Sequence, residues 1–292
     1  MENFSRPVET VAIPVAMPVP AYLGDHHVDR RAVLPAVEAL QILARTLPSS
    51  AGADPRRQEQ ALFSHLLAID PEVREIPVVH EFTRSADGRC RSRLMTVVSG
   101  RETKWTRKIE HASVFFRPEG GGDAARHGME LLSSLADTAP EGPVFTVSAR
   151  RLYDELVPFG PAYRNVLGDV RLSPAGASAE VAGGGYPEAV GPLGSPFPLD
   201  AALHAACAWG QRYRGIIAFP VGFDRREIAV PTRTGETYRC RVVPLPDEGA
   251  VLRFNILITG PDGRPVEVIG GVAMRDISGG RRKPPAWVRE GR

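Results

Sequence analysis

Cysteine is scarce. Cys90, Cys207 and Cys240 stand far apart, and no two have the CxxC spacing of a zinc-ligand pair or a redox dithiol. Neither a zinc site nor a disulfide framework is expected, and a reducing cytoplasm is the corresponding setting. No apolar run approaches the ~20 residues needed to cross a bilayer. The N-terminus also lacks a basic segment followed by an apolar core, so no signal peptide is expected. An excess of one charge is missing too: 36 Lys+Arg face 34 Asp+Glu, a net charge of +2. Neither nucleic acid nor a membrane surface is therefore required as a partner. Lysine is confined to Lys104, Lys108 and Lys283, so Arg dominates the basic set. Arg suits discrete contacts with a carboxylate or phosphate.

Glycine and proline, in contrast, are plentiful, at 29 and 27 residues, as in a protein of strands and turns. Val11 to Tyr22 is apolar and broken by prolines, which predicts an edge strand or extended lead-in. After a polar loop from Gly24 to Arg31, Val37, Leu40, Leu43 and Ala44 recur at helical spacing behind Pro35, a residue suited to a first helical turn. Pro48 to Arg57 reads as a polar connection. Strand patterns follow at Ile76 to Phe82, Arg89 to Val98 and Thr103 to Phe116, with a hairpin turn at Ala86, Asp87 and Gly88. A Gly-rich stretch from Pro118 leads to Gly142 and is read as the linker between two halves, 1–130 and 131–292.

The second half repeats the plan. A short helix is expected over Ala149 to Leu156, with strands around Tyr163 to Leu172 and Ala177 to Val181. A Gly/Pro loop, Gly183 to Pro198, opens into a helix from Leu199 to Tyr213. Strands return at Gly215 to Phe219, Glu227 to Val230, Thr237 to Val243, Val251 to Thr259 and Val266 to Met274. The basic tail from Gly279 is expected to be loose. One central helix and several antiparallel strands per half predict an α+β protein in which each helix is wrapped by a curved sheet.

Two helix N-termini carry titratable groups. Asp200 and His204 lie four apart on the second helix and share a face. The helix dipole favours a charged Asp200, whereas burial in an apolar cleft favours the neutral, proton-donating form. Capping or dipole pairing is the plainer reading of the same spacing. In the loop before the first helix, His26 and His27 point to opposite faces if extended, so one of them is expected to serve a site. There a histidine could act as a base, with nearby helix N–H groups holding a developing oxyanion; a charged surface loop is the alternative. His80 and His111 fall in strands and are read as structural, and Trp105 and Trp209 are read as core or cleft wall.

The run Leu23 to Pro35 (LGDHHVDRRAVLP) resembles the first motif of polyketide-synthase dehydratase domains: His, three residues, Gly, four residues, Pro. His26 and Pro35 match, while Arg30 occupies the Gly position. Leu199 to His204 (LDAALH) is similar to the second motif, Asp, three residues, then Gln or His. Phe159 to Tyr163 (FGPAY) resembles Tyr-Gly-Pro-x-Phe with both aromatics exchanged. Asp262 to Gly270 reads like the closing hairpin. The motifs occur in the family's order and span nearly the whole chain.

The resemblance implies a double hotdog fold with a site between the halves. There His26 would remove the α-proton of a β-hydroxyacyl thioester, Asp200 would protonate the departing hydroxyl, and His204 would orient Asp200. Backbone N–H groups from Arg31 to Pro35 are the implied oxyanion donors. Arg30, Val33, Leu34, Pro35, Phe159, Gly160, Pro161, Tyr163 and Leu203 are the implied substrate contacts, with Phe159, Pro161 and Leu203 lining an apolar tunnel. No metal or diffusible cofactor is implied, since the acyl group rides on the phosphopantetheine arm of an acyl carrier protein. A homodimer is implied as well. Double-bond isomerisation, hydration or ring closure would use the same pair, and a non-catalytic acyl-binding scaffold is a further alternative fed by Arg30 and Phe159. Asp25, His26 and His27 invite a metal-hydrolase reading, which lacks the further Asp-rich motifs it needs.

Overall fold

A computed structural model of the chain describes residues 7–99, 106–119, 143–246 and 251–291. The boundary between the expected halves, most of the expected linker and Trp105 lie outside those residues. The strands are β1 (Pro7–Pro18), two short strands β2 (His27–Val28) and β3 (Arg31–Ala32), β4 (Ala53–Phe63), β5 (Glu75–Ser85), β6 (Cys90–Ser99), β7 (Thr106–Pro118), β8 (Phe145–Ser148), β9 (Val166–Ser173), β10 (Gly176–Ala182), β11 (Phe219–Ile228), β12 (Thr237–Pro244), β13 (Val251–Thr259) and β14 (Pro265–Arg275). The helices are α1 (Ala36–Arg45), α2 (Ala149–Arg151, continued by a π-helical turn over Leu152–Leu156), α3 (Phe197–Tyr213) and α4 (Ala286–Glu290).

Twelve strands form one antiparallel sheet in the order β1-β5-β6-β7-β4-β11-β14-β13-β12-β10-β9-β8. The first half contributes β1 and β4 to β7, with α1 against β6 and β7. The second contributes the remainder, with α3 against β9, β10, β12 and β13. This is the expected double hotdog with one correction: the two curved sheets are not separate, because β4 pairs with β11 and joins them edge to edge. The first strand lies at a sheet edge, as its prolines require, since Pro14 has no N–H for a second neighbour. No helix among the described residues is long and apolar enough to cross a membrane.

The two helices differ in why they are buried. In α1, Val37, Leu40 and Leu43 form the expected apolar stripe, but Glu38 and Gln41 are buried as well. In α3, every residue from Phe197 to Gln211 is buried, so it is enclosed on all sides. Its small residues let neighbours approach closely: a Cβ on Gly210 would sit 2.7 Å from Leu252 Cδ1. Trp209 is in the core, its indole donating to the Ser173 carbonyl at 2.9 Å. His80 and His111 are buried strand residues bonded to the Thr46 and Thr96 hydroxyls, both at 2.8 Å.

Polar side chains fill the seam between the halves. Arg226 on β11 donates to Glu267 on β14 at 2.8 Å and reaches Gln58 on β4 at 3.4 Å. Arg57 lies 3.6 Å from Glu227, which Arg225 and Arg117 also approach. These buried polar residues explain why β4 reads as a polar connection in sequence: its inward positions carry no apolar alternation. Gly222 permits the close pairing, since a Cβ there would lie 2.3 Å from the Ala61 carbonyl oxygen. The tail is not loose. Val288 on α4 is fully buried, and Arg212 of α3 donates to the Val288 and Arg289 carbonyls at 2.9 and 2.7 Å.

Arg226 and Glu267 are 2% and 1% exposed at the side chain. Glu267→Ala leaves the guanidinium buried without its carboxylate and is expected to lower stability by about 3–5 kcal/mol. Chemical denaturation checks this; a loss under ~1 kcal/mol would show that Gln58 alone satisfies Arg226.

Candidate active site

His26 sits between a 3-10 turn, Ala21–Asp25, and the β2–β3 hairpin. The register His27↔Ala32 and Val28↔Arg31 leaves a two-residue turn, Asp29 and Arg30, with φ of 53° and 63°. Positive φ at both positions is the type I′ geometry that suits hairpin twist. Arg30 therefore adopts the backbone that the motif's glycine would favour, and its side chain is exposed rather than turned into the site. Asp29 pairs with Arg282 of the tail. The return strand is pinned to the neighbouring chain by Leu34 N–H to Leu67 O and Ile69 N–H to Ala32 O, both 2.8 Å.

The hairpin also fixes the imidazole. Val33 N–H donates to the His26 carbonyl at 2.9 Å, and His26 Nδ1 lies 2.9 Å from the Val33 carbonyl. A carbonyl only accepts, so Nδ1 carries the proton and Nε2 keeps its lone pair. Burial holds the ring's pKa below the ordinary imidazole value, opposed in part by the nearby Asp200 carboxyl. A neutral ring with a free Nε2 is a base. His27 turns back to the Asp25 carbonyl at 3.1 Å, so one histidine of the pair serves the site.

Asp200 and His204, 5% and 4% exposed, lie in the first turns of α3. Asp200 Oδ2 is 3.1 Å from His204 Nε2, yet neither atom makes an aligned hydrogen bond in the structure. Both are thus close, buried and able to accept a further polar partner. On the other side of the ring, His204 Nδ1 is 3.3 Å from the Tyr153 hydroxyl.

Aromatic rings bring the two spots together. Phe159 lies between the imidazoles, its centroid 4.3 Å from His26 and 5.1 Å from His204. Tyr163 stands edge-on to His26 at 5.2 Å; it is fully buried and its hydroxyl has no hydrogen-bond partner. The turn carrying both belongs to the second half but holds the loop of the first. Gly160 N–H donates to the Asp25 carbonyl at 2.7 Å and Ala162 N–H to Asp25 Oδ2 at 2.8 Å. Only glycine fits at 160, since a Cβ would lie 2.3 Å from Asp25 Oδ1. Pro161 is exposed and opens the 3-10 turn Pro161–Tyr163 instead of lining a tunnel.

A small apolar pocket lies between the N-terminal ends of the central helices. Ala36, Val37 and Leu40 of α1 face Leu199 and Leu203 of α3, and Phe63 and Phe223 close one side. Leu203 lines it as the motif implies; Phe159 stays between the histidines. The oxyanion expectation needs correction. The N–H groups of Val33 and Leu34 are spent on the His26 and Leu67 carbonyls, and Pro35 has none. Instead of Val33 and Leu34, the candidate donors are the first-turn amides of α1, Ala36 and Val37, whose N-cap Pro35 offers no side-chain cap. Both residues line the pocket.

Sequence patterns did not mark Tyr153 or Glu38, and marked Asp25 only within a metal-hydrolase reading. Asp25 looked like one charge among several, and Tyr153 like an ordinary residue of a short helix. Glu38, buried in α1, accepts a hydrogen bond from Tyr22 at 3.2 Å and is pushed up to about 8 by burial, so it is neutral at pH 7. A carboxyl inside an otherwise apolar helical stripe was the available signal. Among the described residues, no three His, Cys, Asp or Glu side chains group as metal ligands.

No protein-family model matches the chain, and no curated protein matches it either. Solved structures do. A dehydratase domain of a mycocerosic acid synthase-like polyketide synthase is 17% identical, with a TM-score of 0.67, over 91% of this chain and 90% of its own. The dehydratase domain of RzxB from Pseudomonas fluorescens is 15% identical at a TM-score of 0.69, over 93% and 98% of the two chains. The dehydratase domain of PpsC from Mycobacterium tuberculosis, solved in complex with C12:1-CoA, is 18% identical at a TM-score of 0.62, over 93% and 97%. At these identities the likeness is one of fold.

Gly160→Ala forces Asp25 away from the Ala162 amide. The expected cost is about 1–3 kcal/mol, read from chemical denaturation; an unchanged midpoint would show that Asp25 swings aside freely.

Proposed function

We propose that the chain is a dehydratase of β-hydroxyacyl thioesters, releasing water to give the α,β-enoyl thioester. One observation carries this reading. An imidazole of the first half, with Nδ1 held by the Val33 carbonyl and Nε2 left as a base, lies near a buried carboxyl of the second half, Asp200, at the N-termini of the two central helices. A base and a separate acid near one another are what β-elimination needs, because one proton leaves Cα while another joins the oxygen on Cβ. The fold shared with dehydratase domains supports it.

In this reading the acyl chain lies in the apolar pocket against Leu199 and Leu203. The thioester carbonyl meets the first-turn amides of α1. His26 Nε2 takes the α-proton, and the electron pair moves onto the carbonyl oxygen, where Ala36 and Val37 N–H groups and the helix dipole stabilise the charge. The pair then returns to form the Cα–Cβ double bond as the Cβ–O bond breaks. Asp200, in its protonated form, delivers a proton to the departing oxygen, and water leaves. The cycle closes when the proton on His26 passes to Asp200, for which the departing water is a carrier. The pocket's lack of polar walls keeps bulk water from competing.

The chemistry asks for no metal or diffusible cofactor. The substrate is taken to be an acyl thioester on phosphopantetheine, presented by an acyl carrier protein, and the chain to work as a homodimer in the cytoplasm. In this reading Arg30, exposed on the hairpin after His26, contacts the arm rather than the acyl chain.

The test is mass spectrometry of 3-hydroxyacyl pantetheine thioesters incubated with the protein. Loss of one water is expected, and His26→Ala and Asp200→Asn should each slow it by at least ~100-fold with the circular dichroism spectrum unchanged. No loss across a range of chain lengths, from either direction, would overturn the reading.

The pH profile is a second check. Burial lowers the pKa of His26, so its neutral, basic form persists as pH falls below the ordinary value of 6.5. The acid limb of kcat/KM should therefore have its midpoint below 6.5; a midpoint at or above that value would mean the base is another group.

A further inference from the structure

Tyr153 is a buried polar residue that the mechanism above does not use. It sits on the π-helical turn Leu152–Leu156, closed by the bond from Val157 N–H to Leu152 O at 2.8 Å. Such turns insert one residue into a helix and re-aim a side chain inward. The turn is buttressed from outside: Arg151 pairs with Glu155 at 3.0 Å, its guanidinium lies 3.4 Å from the Trp287 ring centroid, and the Trp287 indole donates to Glu155. Helix α4 thus clamps the turn that carries Tyr153.

The hydroxyl has the Val166 and Asn165 backbone and the His204 ring as neighbours. It accepts the Val166 N–H at 2.9 Å, and it lies 3.3 Å from His204 Nδ1. The rings of Tyr153 and His204 meet at 87°, centroids 5.7 Å apart. After accepting from Val166, the oxygen retains its proton and one lone pair. It can donate to an unprotonated Nδ1 or accept from a protonated one. These two arrangements correspond to the two states of Asp200. When Asp200 is a carboxylate, the favourable neighbour is Nε2–H, which leaves Nδ1 to accept from Tyr153. When Asp200 holds its proton toward His204, Nε2 must be the acceptor and Nδ1–H then donates to Tyr153.

We infer that Tyr153 is a positioning residue that acts through His204: its hydroxyl can pair with Nδ1 in either tautomer of that ring, so Nδ1 stays bonded whether or not Nε2, 3.1 Å from Asp200 Oδ2, carries the proton. The inference rests on the dehydratase reading for its catalytic meaning, but the hydrogen bond itself does not. Tyr153 does not touch the reacting atoms. A phenylalanine would keep the ring contact and lose both arrangements.

The experiment pairs a spectroscopic arm with a kinetic one. The protein is labelled with ¹⁵N-histidine, and His204 is assigned by loss of its signals in His204→Gln. In the wild type, His204 Nδ1 should show the shift of a hydrogen-bonded nitrogen, and Tyr153→Phe should move it by several ppm. A wild-type shift typical of a free acceptor nitrogen, or no movement in the variant, overturns the inference whatever the activity. In the kinetic arm, Tyr153→Phe should lower kcat 10- to 100-fold with KM within about twofold, an ordinary range for a misoriented acid. In a His204→Gln background the same substitution should change the residual rate less than about twofold, because its route of action is gone. Equal losses in both backgrounds would show a structural role acting elsewhere, and unchanged kcat with a moved Nδ1 would show a bond without catalytic effect. If neither protein turns over any hydroxyacyl thioester, the dehydratase reading falls, and with it the catalytic role, while the Nδ1 shift still decides the bond.

Discussion

The pairing of β4 with β11 is the constraint on which the rest depends. It makes one sheet of two and brings the N-terminal ends of α1 and α3 to opposite sides of one pocket. The seam holds with few apolar side chains. Arg226, Glu267, Gln58, Arg57 and Glu227 are buried there, where a charge without a partner costs several kcal/mol. Such a network adds little net stability compared with an apolar seam. It does penalise a slip in register, because a shift of one residue turns every charge to the wrong face.

The site shares this reliance on crossed connections. The base belongs to the first half but is held by the second, through Asp25 and the turn around Gly160. The acid belongs to the second half and faces atoms of the first across apolar side chains. Asp200 Oδ2, His204 Nε2 and the Tyr163 hydroxyl are buried polar atoms without a hydrogen-bond partner. Leaving such atoms unpaired is costly, and an incoming polar group could satisfy these three. Tyr163 and Phe159 exchange the aromatics of the motif they resemble, which puts the hydroxyl on the ring edge-on to His26 instead of the one between the two imidazoles.

How much could be read in advance follows from what each signal depends on. Helix positions α1 and α3 came from apolar spacing and proline, and His26, Asp200 and His204 from short motifs at helix N-termini, all local patterns. The fusion of the sheets did not show, because β4 earns its place through Gln58 and Arg57, whose partners lie about 170 residues on in the chain. The π turn at Tyr153 and the hold of Asp25 were likewise invisible, since the first depends on Val166, His204 and Trp287, far along the chain, and the second on a contact between halves. Arg30 read as a departure from a glycine motif, yet the backbone there has the glycine-like angle. The departure lies in the side chain, which points to solvent.

Acid and base differ in mechanical standing. Asp200 is part of a helix enclosed on all sides and can be displaced only if the second half opens as a whole. His26 lies on a short loop kept in place by the Val33 bonds and the two bonds to Asp25. Opening of that loop alone removes the base while the sheet and both helices persist. Inactivation by mild denaturant or warmth would then precede global unfolding and reverse without refolding, so the loop, and not the fold, sets the upper working limit of the protein.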